Sequence, residues 1–135
     1  MTVAKTEVID IRSSEDIVRV RQSVRAFAVE IGLSLVDQTK VVTAASELAR
    51  NTLDYGLGGI AVLEIVEDAP RRGVRVTFED KGPGIPDIEL ALRDGYTSGG
   101  GLGLGLSGAR RLCNEFELDS RVGEGTRVRI TRWKS

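Results

Sequence analysis

From Thr6 to Arg12 the chain alternates polar and apolar residues, TEVIDIR, and this period of two predicts a first strand. Ser13 or Ser14 then offers an N-cap, after which Ile17, Val20, Val24, Phe27, Ala28 and Ile31 recur at helical spacing until Gly32 supplies a stop. The arginines of this first helix fall on its other face and are expected to be solvated. Ser34 can cap a second helix, LVDQTKVVTAASELARNTLDYG, that ends at Gly56. Its buried side is expected from Val41, Ala44, Ala45, Leu48, Thr52 and Tyr55. Glu47 and Asn51 stand four apart, one turn above each other beside that stripe, so both could look into the same cleft.

Two strand-like runs follow, IAVLEIVE (60–67) and GVRVTFED (73–80), joined by the turn-prone DAPRR. In the second run Val74, Val76 and Phe78 share a parity with Asp80. A regular strand would therefore point the Asp80 carboxylate to the core side, where an idle charge is costly. A short helical segment, DIELALRDG, interrupts the next connection. LGLSGARRLCNEF reads as a third substantial helix, with Leu104, Leu112 and Ala109 or Cys113 inward. FELDSRV and TRVRITRW close the chain as a hairpin around Gly123-Glu124-Gly125, whose glycines are expected to be turn residues. The lone Trp133 lies near the exposed end of the last strand, and core packing is its expected task.

A length of 135 residues, with 41% hydrophobic and 29% charged, suits one folded domain, and residues 1–135 are expected to form it. Nineteen basic against twenty acidic residues give no electrostatic case for nucleic acid as the main partner. The single Cys113 can form no internal disulfide, and neither a membrane-length apolar run nor a leader pattern is evident, so the expected location is cytoplasmic. No histidine is present. Any acid or base must then be a carboxylate, Lys, Tyr or Cys.

The chemistry concentrates in Asp80–Arg111. Asp80-x-Gly82-x-Gly84 opens this stretch, and the glycines from Gly99 to Gly105 lead into an apolar helix. Glycine loops can turn backbone N–H groups toward an anion, and a helix N-terminus adds its positive dipole end. A phosphate-bearing ligand is the natural candidate. Asp80 could accept from the exocyclic amine of adenine, Asn51 offers a neutral carbonyl oxygen suited to Mg²⁺, and Glu47 could take the proton of an attacking hydroxyl or water. Each has a plainer alternative: a solvated carboxylate for Glu47, a surface amide for Asn51, a turn cap for Asp80. Gly101-Leu102-Gly103-Leu104-Gly105 also matches part of a dinucleotide fingerprint, but it does not directly follow a strand, as that motif requires.

Glu47-x-x-x-Asn51, Asp80-x-Gly82-x-Gly84 and Gly101-x-Gly103-Leu104-Gly105-Leu106 resemble, in order, the N, G1 and G2 boxes of the GHKL ATPases, the superfamily of gyrase, Hsp90, histidine kinases and MutL. Within it, SELARNTLDYG, EDKGPGIPD, DGYTSGGGLGLGLSGARRL and EFELDSRVGEGTRV resemble the serine/threonine switch kinases of bacterial partner-switching systems, whose compact relatives are anti-sigma kinases. The resemblance implies an α/β (α+β) two-layer sandwich, with a mixed, mostly antiparallel sheet and helices on one face. It implies ATP and Mg²⁺ as cofactors. By position, Glu47 matches the catalytic glutamate and Asn51 the magnesium-binding asparagine. Asp80 matches the adenine-binding aspartate, and Gly82 and Gly84 the turn beneath the base. Gly101, Leu102, Gly103, Leu104 and Gly105 match the phosphate loop, and Thr126 a threonine that supports the adenine pocket. Asp54 stands where histidine kinases often carry Lys, and the lid, roughly Asp87 to Gly101, is short. Both features, with the absence of histidine, depart from a histidine kinase core.

The resemblance further implies phosphorylation of a STAS-domain partner of the RsbS or RsbR kind, as in the stressosome, and on release activation of an RsbU-type phosphatase. The competing expectation is an ATP-dependent anti-sigma factor that sequesters a sigma factor, with phosphotransfer secondary. A GHKL domain that hydrolyses ATP without a protein acceptor is a third. No membrane and no nucleic acid are expected among its partners.

Overall fold

The computed structural model describes residues 1–93 and 103–134, with the backbone alone at 103–105. Strand β1, Thr2–Ile11, begins before the alternating stretch because Thr2 and Val3 pair with Glu67 and Val66, and a register shift follows before Lys5. Helix α1, Ser14–Glu30, is capped at Ser13. The Asp16 carboxylate accepts from the backbone N–H of Arg12 (2.8 Å) and of Ser13 (3.1 Å), and the Arg12 bond is the main reason its pKa lies below the usual range. At Gly32 φ is +82°, a conformation that ends a helix at little cost for glycine.

Helix α2, Leu35–Asp54, starts where Ser34 accepts from the Asp37 N–H at 3.1 Å. It buries Val42 and Ala49 as well as the expected Val41, Ala44, Ala45, Leu48 and Thr52. Tyr55 departs from expectation: it is the C-cap and 39% exposed, because the helix ends at Asp54 and the chain turns away there. Strands β2, Gly59–Asp68, and β3, Arg71–Asp80, form a hairpin tighter than the DAPRR stretch suggested. The short α3, Ile88–Ala91, is capped by the Asp87 side chain. Helix α4, Gly103–Leu112, precedes the hairpin of β4, Glu115–Arg121, and β5, Gly125–Trp133.

The sheet order is β1-β2-β3-β5-β4, and every pairing among the described residues is antiparallel, so the expected antiparallel character holds and the sheet carries no parallel pair there that would make it mixed. One face carries Ile9, Ile11, Leu63, Ile65, Val74, Val76, Phe78, Val128 and Ile130 into a core closed by α1, α2 and α4. The register places Arg75, Thr77, Glu79, Arg127 and Arg129 on the opposite face. There Arg75 pairs with Glu64 at 2.9 Å and Arg127 with Glu79 at 3.4 Å. Trp133 is buried, but on this second face. Its ring lies across Gly73, where a Cβ would come within 2.7 Å of it. Its indole N–H donates to Glu115, and the Arg71 guanidinium sits 4.0 Å from the ring centroid.

Candidate nucleotide site

Asp80 is the last residue of β3, and the parity set by Val74, Val76 and Phe78 carries its side chain to the helix-covered face. There it lines a cavity of about 440 Å³ together with Asn51, Thr52, Gly84, Ile85, Leu106 and Thr126, among other residues. The lining is mostly apolar, which suits the flat faces of a heteroaromatic base. Oδ1 of Asp80 accepts from the N–H of Gly82 (2.9 Å) and, at 3.3 Å, from that of Thr126. Oδ2 takes no hydrogen bond from the described residues. Capping the turn and facing a ligand are thus both open to one carboxylate. Burial raises the Asp80 pKa above its ordinary value, against the two N–H bonds that lower it.

Three chain segments close the cavity around Asp80. Gly84, at φ +78°, turns the backbone directly against the carbonyl of Arg121, a conformation and an approach a side chain would resist. Ser120 on β4 joins the segments: its Oγ accepts from the Ile85 N–H at 2.7 Å and lies 2.8 Å from the Thr126 hydroxyl. Gly125 lies against the Asp80 carbonyl, where a Cβ would come within 2.1 Å, so it is more than the turn residue expected. Gly123 has open space at its Cβ position and matches that expectation. Ser120 and Gly56, which abuts the Asp80 side chain, were not among the expected site residues. Nothing in their spacing singles them out.

From the helix side, α2 brings Asn51 to the cavity wall. Its Oδ1 is buried and has no hydrogen-bond partner among the described residues. An orphaned amide carbonyl oxygen is costly unless a ligand uses it, and a hard cation such as Mg²⁺ is a fitting one. The described residues contain no group of three or more His, Cys, Asp or Glu that could hold a metal, so further ligands would have to be phosphate oxygens and water. Glu47 is exposed one turn, about 6 Å, before Asn51 on the same helix, and is not part of the cavity wall. The expectation that both look into one cleft is therefore met by Asn51 alone among the described residues. Gly101 and Leu102 lie outside the described residues. Gly103, Leu104 and Gly105 form the first turn of α4, the helix that carries Leu106 to the cavity.

An antiparallel sheet covered by helices on one face, with a carboxylate at a strand end and a buried amide on the facing helix, defines a nucleotide-binding architecture. Residues 36–134 match the family described as histidine kinase-, DNA gyrase B-, and HSP90-like ATPase, and the chain belongs to that family. It is 47% identical over 118 residues to the serine/threonine-protein kinase RsbT of Bacillus subtilis, covering 87% of this chain and 89% of RsbT, and the enzyme class is protein serine/threonine kinase. It is 30% identical to the anti-sigma F factor of a Thermoanaerobacter species, over 84% of this chain and 82% of that protein. A solved structure of the RsbU and RsbW domains of a Mycobacterium tuberculosis protein superposes with a TM-score of 0.67 at 20% identity, over 98% of this chain and 34% of that one, and shares the fold. Among the described residues no helix is long and apolar enough to cross a membrane.

Proposed function

We propose that this chain transfers the γ-phosphoryl group of ATP to a serine or threonine of a STAS-domain protein and, once released from that partner, activates an RsbU-type phosphatase. The observation that carries the nucleotide part is the shared cavity, lined by a half-buried carboxylate with one oxygen that takes no hydrogen bond from the described residues and by a buried amide oxygen with no partner among them. The resemblance to RsbT supports the choice of acceptor.

In this reading Asp80 Oδ2 accepts from the exocyclic amine of adenine, which guanine, with a carbonyl at that position, cannot supply. Thr126 and Ser120 fix the wall beside it. Asn51 Oδ1 would hold Mg²⁺, which when bound neutralises charge on the phosphate oxygens. Gly101, Leu102, Gly103, Leu104 and Gly105 would direct backbone N–H groups to the phosphates. The acceptor hydroxyl oxygen bonds to the γ-phosphorus as the bond from that phosphorus to the bridging oxygen breaks. The hydroxyl proton passes to the Glu47 carboxylate, and ADP leaves. The exposure of Glu47 suits a base that must meet a side chain arriving from another protein.

The test is incubation of the protein with γ-labelled ATP, Mg²⁺ and candidate STAS-domain proteins, with Asp80→Asn alongside. Label on a serine or threonine of one STAS protein, absent with the variant, is the expected result. ATP binding without transfer to any protein would sink the kinase assignment for those acceptors and favour a nucleotide-dependent sequestering factor, as the anti-sigma F relatives suggest.

A further inference from the structure

Gly56 is in the loop that follows α2, and its N–H donates to the Asn51 carbonyl at 3.2 Å, beside the Tyr55 N–H at 2.9 Å. Gly58 N–H donates to the Thr52 carbonyl at 3.0 Å, so the loop is fastened to the last turn of α2 at two points. A Cβ built on Gly56 would lie 2.4 Å from Asp80 Cγ and 2.5 Å from both its Cβ and Oδ2. The loop also lacks room to retreat on the side of the next turn. A Cβ on Gly82 would fall 2.7 Å from Gly56 Cα, so those two backbones are already in contact. Gly56 has a φ outside the left-handed region, so alanine there meets no left-handed strain. What the position excludes is a side chain against the Asp80 carboxylate.

We infer that Gly56 is a positioning residue for base selection: its bare Cα leaves room for the Asp80 carboxylate in the orientation held by the Gly82 and Thr126 N–H groups and sets the spacing between that carboxylate and the helix turn that carries Asn51. The inference rests on the adenine-reading role proposed for Asp80 and extends it to a residue that touches no ligand. A methyl group at Gly56 must displace Asp80 as a whole, because the clash with its Cβ is not relieved by turning the side chain, and this takes the carboxylate out of the geometry held by the Gly82 and Thr126 N–H bonds. The hydrogen bond to the exocyclic amine is lost, while the apolar walls that hold the rest of the purine stay in place.

Titration calorimetry with ADP and with purine riboside diphosphate, which has hydrogen in place of the 6-amino group, separates these effects. The wild type should bind ADP about tenfold or more tightly than the deaminated analogue, the difference made by one charge-assisted hydrogen bond. Gly56→Ala should weaken ADP toward the analogue and leave the analogue within about twofold, collapsing the preference, because a ligand without the amine has no such bond to lose. Gly108→Ala, at a helix position with open space, should change neither. Equal weakening of both ligands, or an unchanged preference, overturns the inference while leaving the role of Asp80 intact. A wild type that does not prefer ADP removes that role itself, and the inference with it. If Gly56→Ala fails to fold, the combination with Asp80→Gly should be as stable as Asp80→Gly alone. An equal loss of stability in both backgrounds would show that the Asp80 side chain is not what Gly56 accommodates.

Discussion

Asp80 and Asn51 face one cavity, yet Asp80 Oδ1 receives two backbone N–H groups while the Asn51 amide oxygen is buried with no partner among the described residues. The strand side is preorganised: Gly82, Thr126 and Ser120 settle the polar groups of the wall before any ligand arrives. The helix side leaves its polar group for the ligand to satisfy. Preorganised acceptors discriminate between ligands, because the protein has little freedom to adapt to a wrong base. An orphaned acceptor costs stability until it is filled, so its contribution is seen in the bound state.

The sharpest break between the two sides should come from Glu47→Gln. Transfer to the acceptor protein should fall by about 10²–10⁴-fold, the range for loss of a general base. ADP affinity, measured by calorimetry, should stay within about threefold, since Glu47 lies outside the cavity wall. Comparable loss in both measurements would place Glu47 in binding instead of catalysis.

Asp80→Asn should act on the strand side, weakening ADP by about tenfold or more. Its effect on stability has the opposite sign. Burial raises the folded pKa of Asp80, so its favourable contribution is present below the unfolded pKa and lost as pH rises through the folded value. The neutral amide avoids that loss, and the ligand-free variant should melt at or above the wild type at pH 7. In the wild type, ADP affinity should fall as pH drops through the folded pKa, because the protonated carboxyl presents fewer acceptor sites. A variant that melts well below the wild type would show that the bonds to Gly82 and Thr126 outweigh desolvation.

Asn51→Ala probes the unfilled side. The increase in nucleotide affinity on adding Mg²⁺ should shrink, while the ligand-free protein should lose no more than about 1 kcal/mol, since no hydrogen bond of Oδ1 is broken. An unaltered Mg²⁺ dependence would remove the metal assignment. The smallest effect belongs to Cys113, remote from this contrast. Burial pushes its thiol up to about 12, so the folded protein should react slowly with a thiol reagent at pH 7.5, and the denatured chain rapidly.

Individual residues differ in how far they are legible from the chain. Asn51 declares itself by its place beside the apolar stripe of a strongly periodic helix, whereas the same four-residue spacing leaves Glu47 exposed and off the cavity wall. Asp80 declares itself by its parity with Val74, Val76 and Phe78, a property of the strand alone. The glycines of Asp80-x-Gly82-x-Gly84 mark a tight turn for similar local reasons. Tyr55 departs from the helical pattern because the helix ends at Asp54, one residue short of it. The parity of Trp133, opposite to that of Val128 and Ile130, already puts it on the other face of the sheet, and only the register that sets it over Gly73 decides what it packs against.

Local sequence thus determined the order of the elements, the faces they bury and the principal polar residues, because periodicity, capping and turn chemistry act over a few positions. The tertiary structure decided the rest. Gly56 meets Asp80, Gly125 meets the Asp80 carbonyl and Ser120 meets Ile85 where segments distant in the chain come within a few ångströms. A missing Cβ or a single hydroxyl leaves no periodic trace in a sequence, and its consequence exists only once another backbone is packed against it.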